Sequence, residues 1–328
     1  MRPNIVNPIA ALMLLFALLL TAGCTSDPLE LPGPYDIYTQ VISVVNPEEP
    51  GRPIPGKIFA PSVDGGNSIA AGPFELVVFM PGFGATYSGY SPIISHLATH
   101  GAIVIGMNFI TSAGFDGKHD YLARQTTYVI DYALAGESPL AGHVDATKIA
   151  TAGHSLGGKI SFYSAAIDPR VTVVMAMDPS NSGGPPCFIA PDFCNAYPVA
   201  PNIVTGDIGM LDHVNVASFI MRAAPDPLFN PDEQSNAKYF FYGLDGAGLH
   251  GVKAPALYFD VGNASHACWL LCLCPDIIRI SKRTLVAWLK AYFHGECMEP
   301  YFTGEVIQKD IDAGYVVAVA TRYCRHRP

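Results

Sequence analysis

The feature that most constrains the fold is six residues long. Gly153-His154-Ser155-Leu156-Gly157-Gly158 lies between an apolar run that ends at Ala152 and a helix-forming segment that reaches Ile167. Glycines two places before and after a serine, set between a strand and a helix, describe a turn with no room for side chains on its flanks. Such a turn holds the serine in a strained backbone conformation with its hydroxyl exposed. The helix that starts there adds its N-terminal dipole to the same spot. A glycine-rich turn with an inert serine can be written in the same letters, so the strand-then-helix setting is what favours a nucleophile at Ser155.

The rest of the chain supplies the matching framework. Phe74 to Met80 and Ala102 to Met107 are continuous apolar runs bounded by Gly or Pro, as expected of strands buried on both faces. Tyr90 to His100 between them reads as a helix. Beyond them the pattern predicts a helix over His119 to Ala135, a strand at Lys148 to Ala152, a helix over Ser155 to Ile167 and a strand at Val171 to Met177. Strands are also expected at Asn202 to Thr205 and Pro255 to Val261, and an amphipathic helix over Asp276 to Phe293. This alternation predicts an α/β fold, a mostly parallel sheet flanked by helices, in a single domain over 36–328. The Gly/Pro/Ser-rich stretch between Asp178 and Pro201 lacks periodicity and reads as a functional loop.

A serine hydroxyl is a weak nucleophile at neutral pH, so Ser155 needs a base within hydrogen-bond reach and a carboxylate to orient that base. Of the histidines that follow it, His266 comes just after the strand at Pro255 to Val261, where a loop at the carboxyl end of the sheet would project it. His250, in a Gly-rich loop, is the reserve; His294 ends a helix and His326 lies in the tail. Asp178 directly follows the strand Val171 to Met177 and is the favoured acid, with Asp207 and Asp212 as alternatives one strand later. The oxyanion of a tetrahedral intermediate needs two backbone donors. Leu156 N–H, directly after the nucleophile, is one, and Phe83 N–H, in Met80-Pro81-Gly82-Phe83-Gly84, is the second. Tyr87 and Trp269, with Phe83 and the aromatic loop from Cys187 to Tyr197, are expected to line an apolar substrate cleft. His154 reads as a packed residue.

The start of the chain reads as a leader. Arg2 precedes the apolar run Ile9 to Leu20, shorter than a membrane span, and Thr21-Ala22-Gly23 leads into Cys24. This predicts a signal peptide over 1–23, lipidation at Cys24, a Pro-rich tether over 25–35, and export, with membrane contact through the lipid alone. Seven further cysteines make disulfides the default in an exported chain. Cys187 and Cys194 are the expected pair, and the pairing of Cys268, Cys272, Cys274, Cys297 and Cys324 stays open. His266, Cys268, Cys272 and Cys274 also permit a zinc reading, which the absence of paired CxxC spacing disfavours, so neither metal nor organic cofactor is expected. The formal net charge of −9 argues against nucleic acid as a partner, and a monomer is expected.

At these motifs the chain resembles known enzymes. Val77-Val78-Phe79-Met80-Pro81-Gly82-Phe83, His100-Gly101, Gly153 to Lys159 and Met177-Asp178-Pro179 are similar to plant-type chlorophyllases and platelet-activating-factor acetylhydrolases, over roughly residues 74 to 270. The resemblance implies the α/β-hydrolase fold, ester hydrolysis through an acyl-enzyme, and an acid after the strand that follows the nucleophile helix, which favours Asp178 further. Chlorophyllases carry arginine where this chain has Leu156. Asn263-Ala264-Ser265-His266 resembles cutinase-type polyester hydrolases, whose acid sits one strand later. An apolar, lipid-like or polymeric ester is therefore the expected substrate, with an amidase or peptidase using the same triad, or a non-catalytic binding protein, as readings of other classes.

Overall fold

Side chains along the third strand of the sheet alternate in destination. Leu76, Val78 and Met80 enter one hydrophobic core, whereas Val77 and Phe79 enter the other, and all five are fully buried. A strand covered on both faces has no solvent side, and for that reason it reads as an unbroken apolar run. The computed structural model describes residues 27–110, 119–180, 210–226, 237–244, 254–262 and 264–322.

The strands are β1 (Asp36–Val44), β2 (Ile54–Ser62), β3 (Phe74–Met80), β4 (Ile103–Met107), β5 (Val144–His154), β6 (Val171–Met177), β7 (Ala217–Arg222), β8 (Ala256–Asp260) and β9 (Ala318–Arg322). They form one sheet in the order β1-β2-β4-β3-β5-β6-β7-β8-β9. From β4 to β8 the pairings are parallel, and β1, β2 and β9 close the edges antiparallel. The helices are α1 (Ser91–Thr99), α2 (His119–Leu134), α3 (Leu156–Ile167), α4 (Ala237–Gly243), α5 (Pro275–His294), α6 (Glu299–Phe302) and α7 (Glu305–Asp312). Leu122, Val129 and Ile130 of α2 and Ile160 and Phe162 of α3 cover one face. Ile93, Ile94 and Leu97 of α1 and Leu285, Val286 and Trp288 of α5 cover the other. The arrangement is a single α/β sheet, mostly parallel and flanked by helices, as the alternation of runs predicts.

Four strands escape the sequence pattern. β1, at the antiparallel edge, is half-exposed along most of its length, and β2, between β1 and β4, carries Pro55 and Pro61, which argue locally against a strand; both prolines lie outside the Gly56–Phe59 stretch that pairs with β4. β7 is short and buried, and the strand expected nearby at Asn202 to Thr205 lies outside the described residues, as do Cys24 and the leader, Asp207, His250, His326, and the expected Cys187 and Cys194 pair. β9 pairs with β8 from the far end of the chain.

The expected tether requires correction, because residues 27–35 pack against the domain. The Leu29 carbonyl meets His96 Nε2 at 2.8 Å, and Tyr35 N–H donates to the Thr99 carbonyl at 3.1 Å. Glu30 accepts from Arg279 at 2.6 Å and Arg283 at 2.8 Å, and both arginines also pair with Asp310 of α7. Proline content alone suggested a free segment; the contacts that dock it come from α1, 64 and 67 positions away, and from α5, 249 and 253 positions away. Arg283 is almost fully buried, so its loss leaves the buried Asp310 and the half-buried Glu30 undercompensated. Arg283→Ala is expected to cost about 3 kcal/mol and to lower Tm by roughly 6–12 °C in a thermal melt. A Tm within about 2 °C of wild type would show that the cluster contributes little.

Candidate active site

The parallel strands all end on one edge, and the candidate residues collect there. β5 ends at His154, and Ser155 follows with φ 56° and ψ −119°, a conformation that side chains other than glycine rarely adopt. The turn is held by Ser155 N–H donating to the Met177 carbonyl at 3.0 Å, and Ser180 N–H donates back to the Ser155 carbonyl at 3.2 Å. A Cβ on Gly157 would sit 2.1 Å from the Met80 carbonyl oxygen, and one on Gly153 2.5 Å from the Gly157 backbone. Glycine is thus required at both places for β3, β5 and α3 to converge.

Asp178, directly after β6, is fully buried and also has positive φ, 43°. Its Oδ1 accepts from Ala223 N–H at 3.0 Å, which fixes the carboxylate plane, and its Oδ2 lies 2.6 Å from His266 Nδ1. His266 opens the segment His266–Cys272 beyond β8, and its Nε2 lies 2.8 Å from Ser155 Oγ. A carboxylate only accepts, so Nδ1 carries the proton of that bond and Nε2 presents its lone pair to the serine hydroxyl. Residues 23, 88 and 111 positions apart thereby form one hydrogen-bonded line, Asp178 to His266 to Ser155.

The backbone around Gly82 passes directly over this line. A Cβ on Gly82 would lie 3.4 Å from Ser155 Cβ, so the start of the Gly82-Phe83 loop passes the serine at a distance that a single methyl group would close. Phe83 is half-buried there. Leu156 is the first residue of α3, whose leading N–H groups have no acceptor within the helix. Of the other candidates, Asp212 sits half-buried in the turn Met210–His213, and His294 is 3.2 Å from Glu75, at the amino end of β3 and thus at the opposite end of the parallel strands.

Tyr87 and Trp269 part company. Tyr87 is half-buried in the 3₁₀ turn Tyr87–Tyr90, its ring edge-on to Phe59 at 6.3 Å. Trp269, expected in a cleft, has no exposed surface and donates its indole N–H to Ser281 Oγ at 2.8 Å. It is a core residue under the His266 loop, an outcome that an indole in an apolar helix-contact segment permits and that no local pattern distinguishes. Cys268 and Cys274 form a disulfide, which closes the loop after His266 and removes both sulfurs from any metal set. Among the described residues no three ligating side chains cluster.

Residues 28–185 match the family model described as PET hydrolase-like, a span that contains Phe83, Ser155 and Asp178 and stops before His266. Chlorophyllase-2 of Arabidopsis thaliana is 24% identical over 70% of this chain and 77% of its own length. A bis(hydroxyethyl) terephthalate hydrolase of Streptomyces coelicolor is 29% identical over 46% of this chain and 45% of its own. Cutinase est1 of Thermobifida alba is 29% identical over 32% of this chain and 35% of its own. The chain is a carboxylic ester hydrolase of the α/β-hydrolase type. The hydrolase therefore resembles the chlorophyllase along most of its length and the terephthalate hydrolase and the cutinase over less than half of theirs.

Two features of the hydrolase's site are not legible in its motifs. His154 and Tyr90, both buried, form hydrogen bonds under Ser155 and the Gly82 loop, and burial drives the His154 imidazole well below its usual range, reinforced by the neighbouring His266 ring. Lys159, fully buried on α3, is pulled down to about 7 by burial. The lysine appears in the sequence only as the last letter of Gly157-Gly158-Lys159, where nothing marks it as interior.

Proposed function

We propose that the hydrolase cleaves apolar esters in two acyl-transfer steps, with Ser155 as nucleophile, His266 as general base and acid, and Asp178 as the group that orients His266. The observation that carries this reading is the line of hydrogen bonds at 2.6 and 2.8 Å through a single imidazole. His266 Nε2 takes the hydroxyl proton as Ser155 Oγ bonds to the ester carbonyl carbon. Phe83 and Leu156 N–H groups then hold the oxyanion. The C–O bond to the alcohol breaks, the alcohol leaves with the proton from His266, and water repeats the sequence on the acyl-enzyme. Mass spectrometry after treatment with a fluorophosphonate, alongside turnover of p-nitrophenyl esters, tests it. The expected result is a single adduct on Ser155 that abolishes turnover. An adduct elsewhere, with activity intact, would overturn the assignment.

We propose further that the ester is presented at an apolar surface, as in a polymer or lipid aggregate. Supporting this, Leu271 and Leu273 are 70% and 61% exposed within the Cys268–Cys274 loop, only five and seven residues from His266. Leu271 has φ 54°, an unfavourable conformation for a branched side chain that the closed loop sustains. Leu270 beside it packs on Gly89. Each leucine would gain about 1–2 kcal/mol on burial against such a surface. The double variant Leu271→Ser, Leu273→Ser is expected to lose about tenfold in turnover of an insoluble polyester film while hydrolysing p-nitrophenyl acetate within about twofold of wild type. Equal losses on both substrates would reject surface docking. Export with Cys24 as a lipidated first residue belongs to the same proposal, supported by the Cys268–Cys274 disulfide, a bond typical of oxidising compartments.

A further inference from the structure

We infer that Tyr90 and His154 are positioning residues, a one-way hydrogen-bond relay that ties the oxyanion loop at Gly82 to the backbone of His266 and so sets both in register about Ser155. The inference rests on the proposed chemistry at Ser155 and adds to it two residues that do not touch the reacting atoms.

Three bonds make the relay. Gly82 N–H lies 3.2 Å from Tyr90 Oη, Tyr90 Oη lies 2.8 Å from His154 Nδ1, and His154 Nε2 lies 2.8 Å from the His266 carbonyl oxygen. Their direction is forced from one end. A carbonyl oxygen only accepts, so His154 Nε2 carries a proton. His154 is 4% exposed and kept neutral by burial, so its other nitrogen presents a lone pair. Tyr90, fully buried, must then donate its hydroxyl proton to Nδ1, and its oxygen is left to accept from Gly82 N–H. Every link has one polarity, and reversing the Tyr90–His154 link leaves the His154 Nε2 lone pair facing the His266 carbonyl oxygen, two acceptors where water does not reach, which is costly.

The geometry ties this chain to the reacting groups. His154 is the residue before the nucleophile, and its ring centroid lies 4.8 Å from that of His266 and 5.5 Å from that of Trp269. A Cβ on Gly82 would come within 3.1 Å of Tyr90 Oη and 3.3 Å of His154 Nδ1, so the loop lies flat on the relay. The relay thereby joins residues 64 and 112 positions apart in sequence. The same imidazole fixes the height of the loop that carries Phe83 N–H on one side and the start of the His266 loop on the other. Errors of about 1 Å in such groups cost on the order of 100-fold in rate. A merely structural polar pair would cost stability and leave turnover per folded molecule unchanged.

The test uses the full-length protein with p-nitrophenyl butyrate as probe and compares Tyr90→Phe, His154→Gln and the double variant. Each single variant is expected to lower kcat by about 10- to 100-fold with KM within about twofold. The double variant is expected to be no slower than the slower single, because one broken link already releases both loops. Singles that retain wild-type kcat while Tm falls, or losses that multiply in the double, overturn the relay. Should the variants fail to fold, imidazole ¹⁵N shifts of the wild-type protein decide: His154 protonated on Nε2 alone supports the relay, and protonation on Nδ1 overturns it. Wild-type turnover that is lost on fluorophosphonate labelling of Ser155, together with an unimpaired Tyr90→Phe, would reject the relay alone. Turnover that persists after Ser155 is labelled would reject the chemistry beneath it.

Discussion

Ser155→Ala is expected to lower kcat/KM for a p-nitrophenyl ester by at least about 10⁴-fold, with Tm close to that of the wild type. The size of the loss follows from the serine's position. Ser155 Oγ is the atom 2.8 Å from His266 Nε2, in a turn whose backbone conformation, φ 56°, is imposed by Gly153, Gly157 and the hydrogen bond to Met177 rather than by the side chain. Removing the hydroxyl therefore takes away the proposed nucleophile and leaves the elbow in place. The residual rate would measure what the backbone donors proposed at Phe83 and Leu156 achieve with water alone. Purified protein assayed beside an uninduced control checks the result, and activity within about tenfold of wild type would point to a different nucleophile.

Asp178→Asn is expected to cost about 10³- to 10⁴-fold in kcat while preserving the fold. Asparagine is among the few residues that accept a positive φ, so the backbone at 43° tolerates it. The chemistry does not. Both oxygens of Asp178 are engaged, Oδ1 by Ala223 N–H and Oδ2 by His266 Nδ1–H. An amide has one oxygen, so either Ala223 N–H or His266 Nδ1–H must face an NH₂ group. If Ala223 keeps the oxygen, His266 is pushed to the opposite tautomer, with its proton on Nε2, where it cannot receive one from Ser155. Steady-state kinetics with a thermal melt separate this from unfolding. A kcat within about tenfold of wild type would show that another group orients His266.

The consequences for substrate lie in the loop after His266. Cys268–Cys274 closes it, Trp269 anchors it inward on Ser281, and Leu271 and Leu273 face outward. The expected aromatic at the cleft is thus a buried peg, and the exposed apolar residues are its aliphatic neighbours. Burial of one ring and exposure of two leucines within five residues is decided by which side of the loop meets α5. The composition of Cys268-Trp269-Leu270-Leu271-Cys272-Leu273-Cys274, apolar throughout, holds no such information.

The sequence by itself determined the central strands, the glycine elbow and the three residues proposed for catalysis. Those features are local: runs apolar on both faces, glycines where no side chain fits, an acid directly after one strand and a histidine in the loop that follows another. Only the tertiary structure decided the rest. Edge strands β1 and β9 are largely solvent-facing, β2 beside β1 carries two prolines, and all three acquire their pairing from neighbours. Residues 27–35 dock because Glu30 meets Arg279 and Arg283. Tyr90 and His154 become partners because β5 ends beneath the turn that precedes α1. Local periodicity records which side of an element is apolar, whereas the partner of a buried polar atom is chosen by whichever distant backbone the packed sheet brings within 3 Å of it.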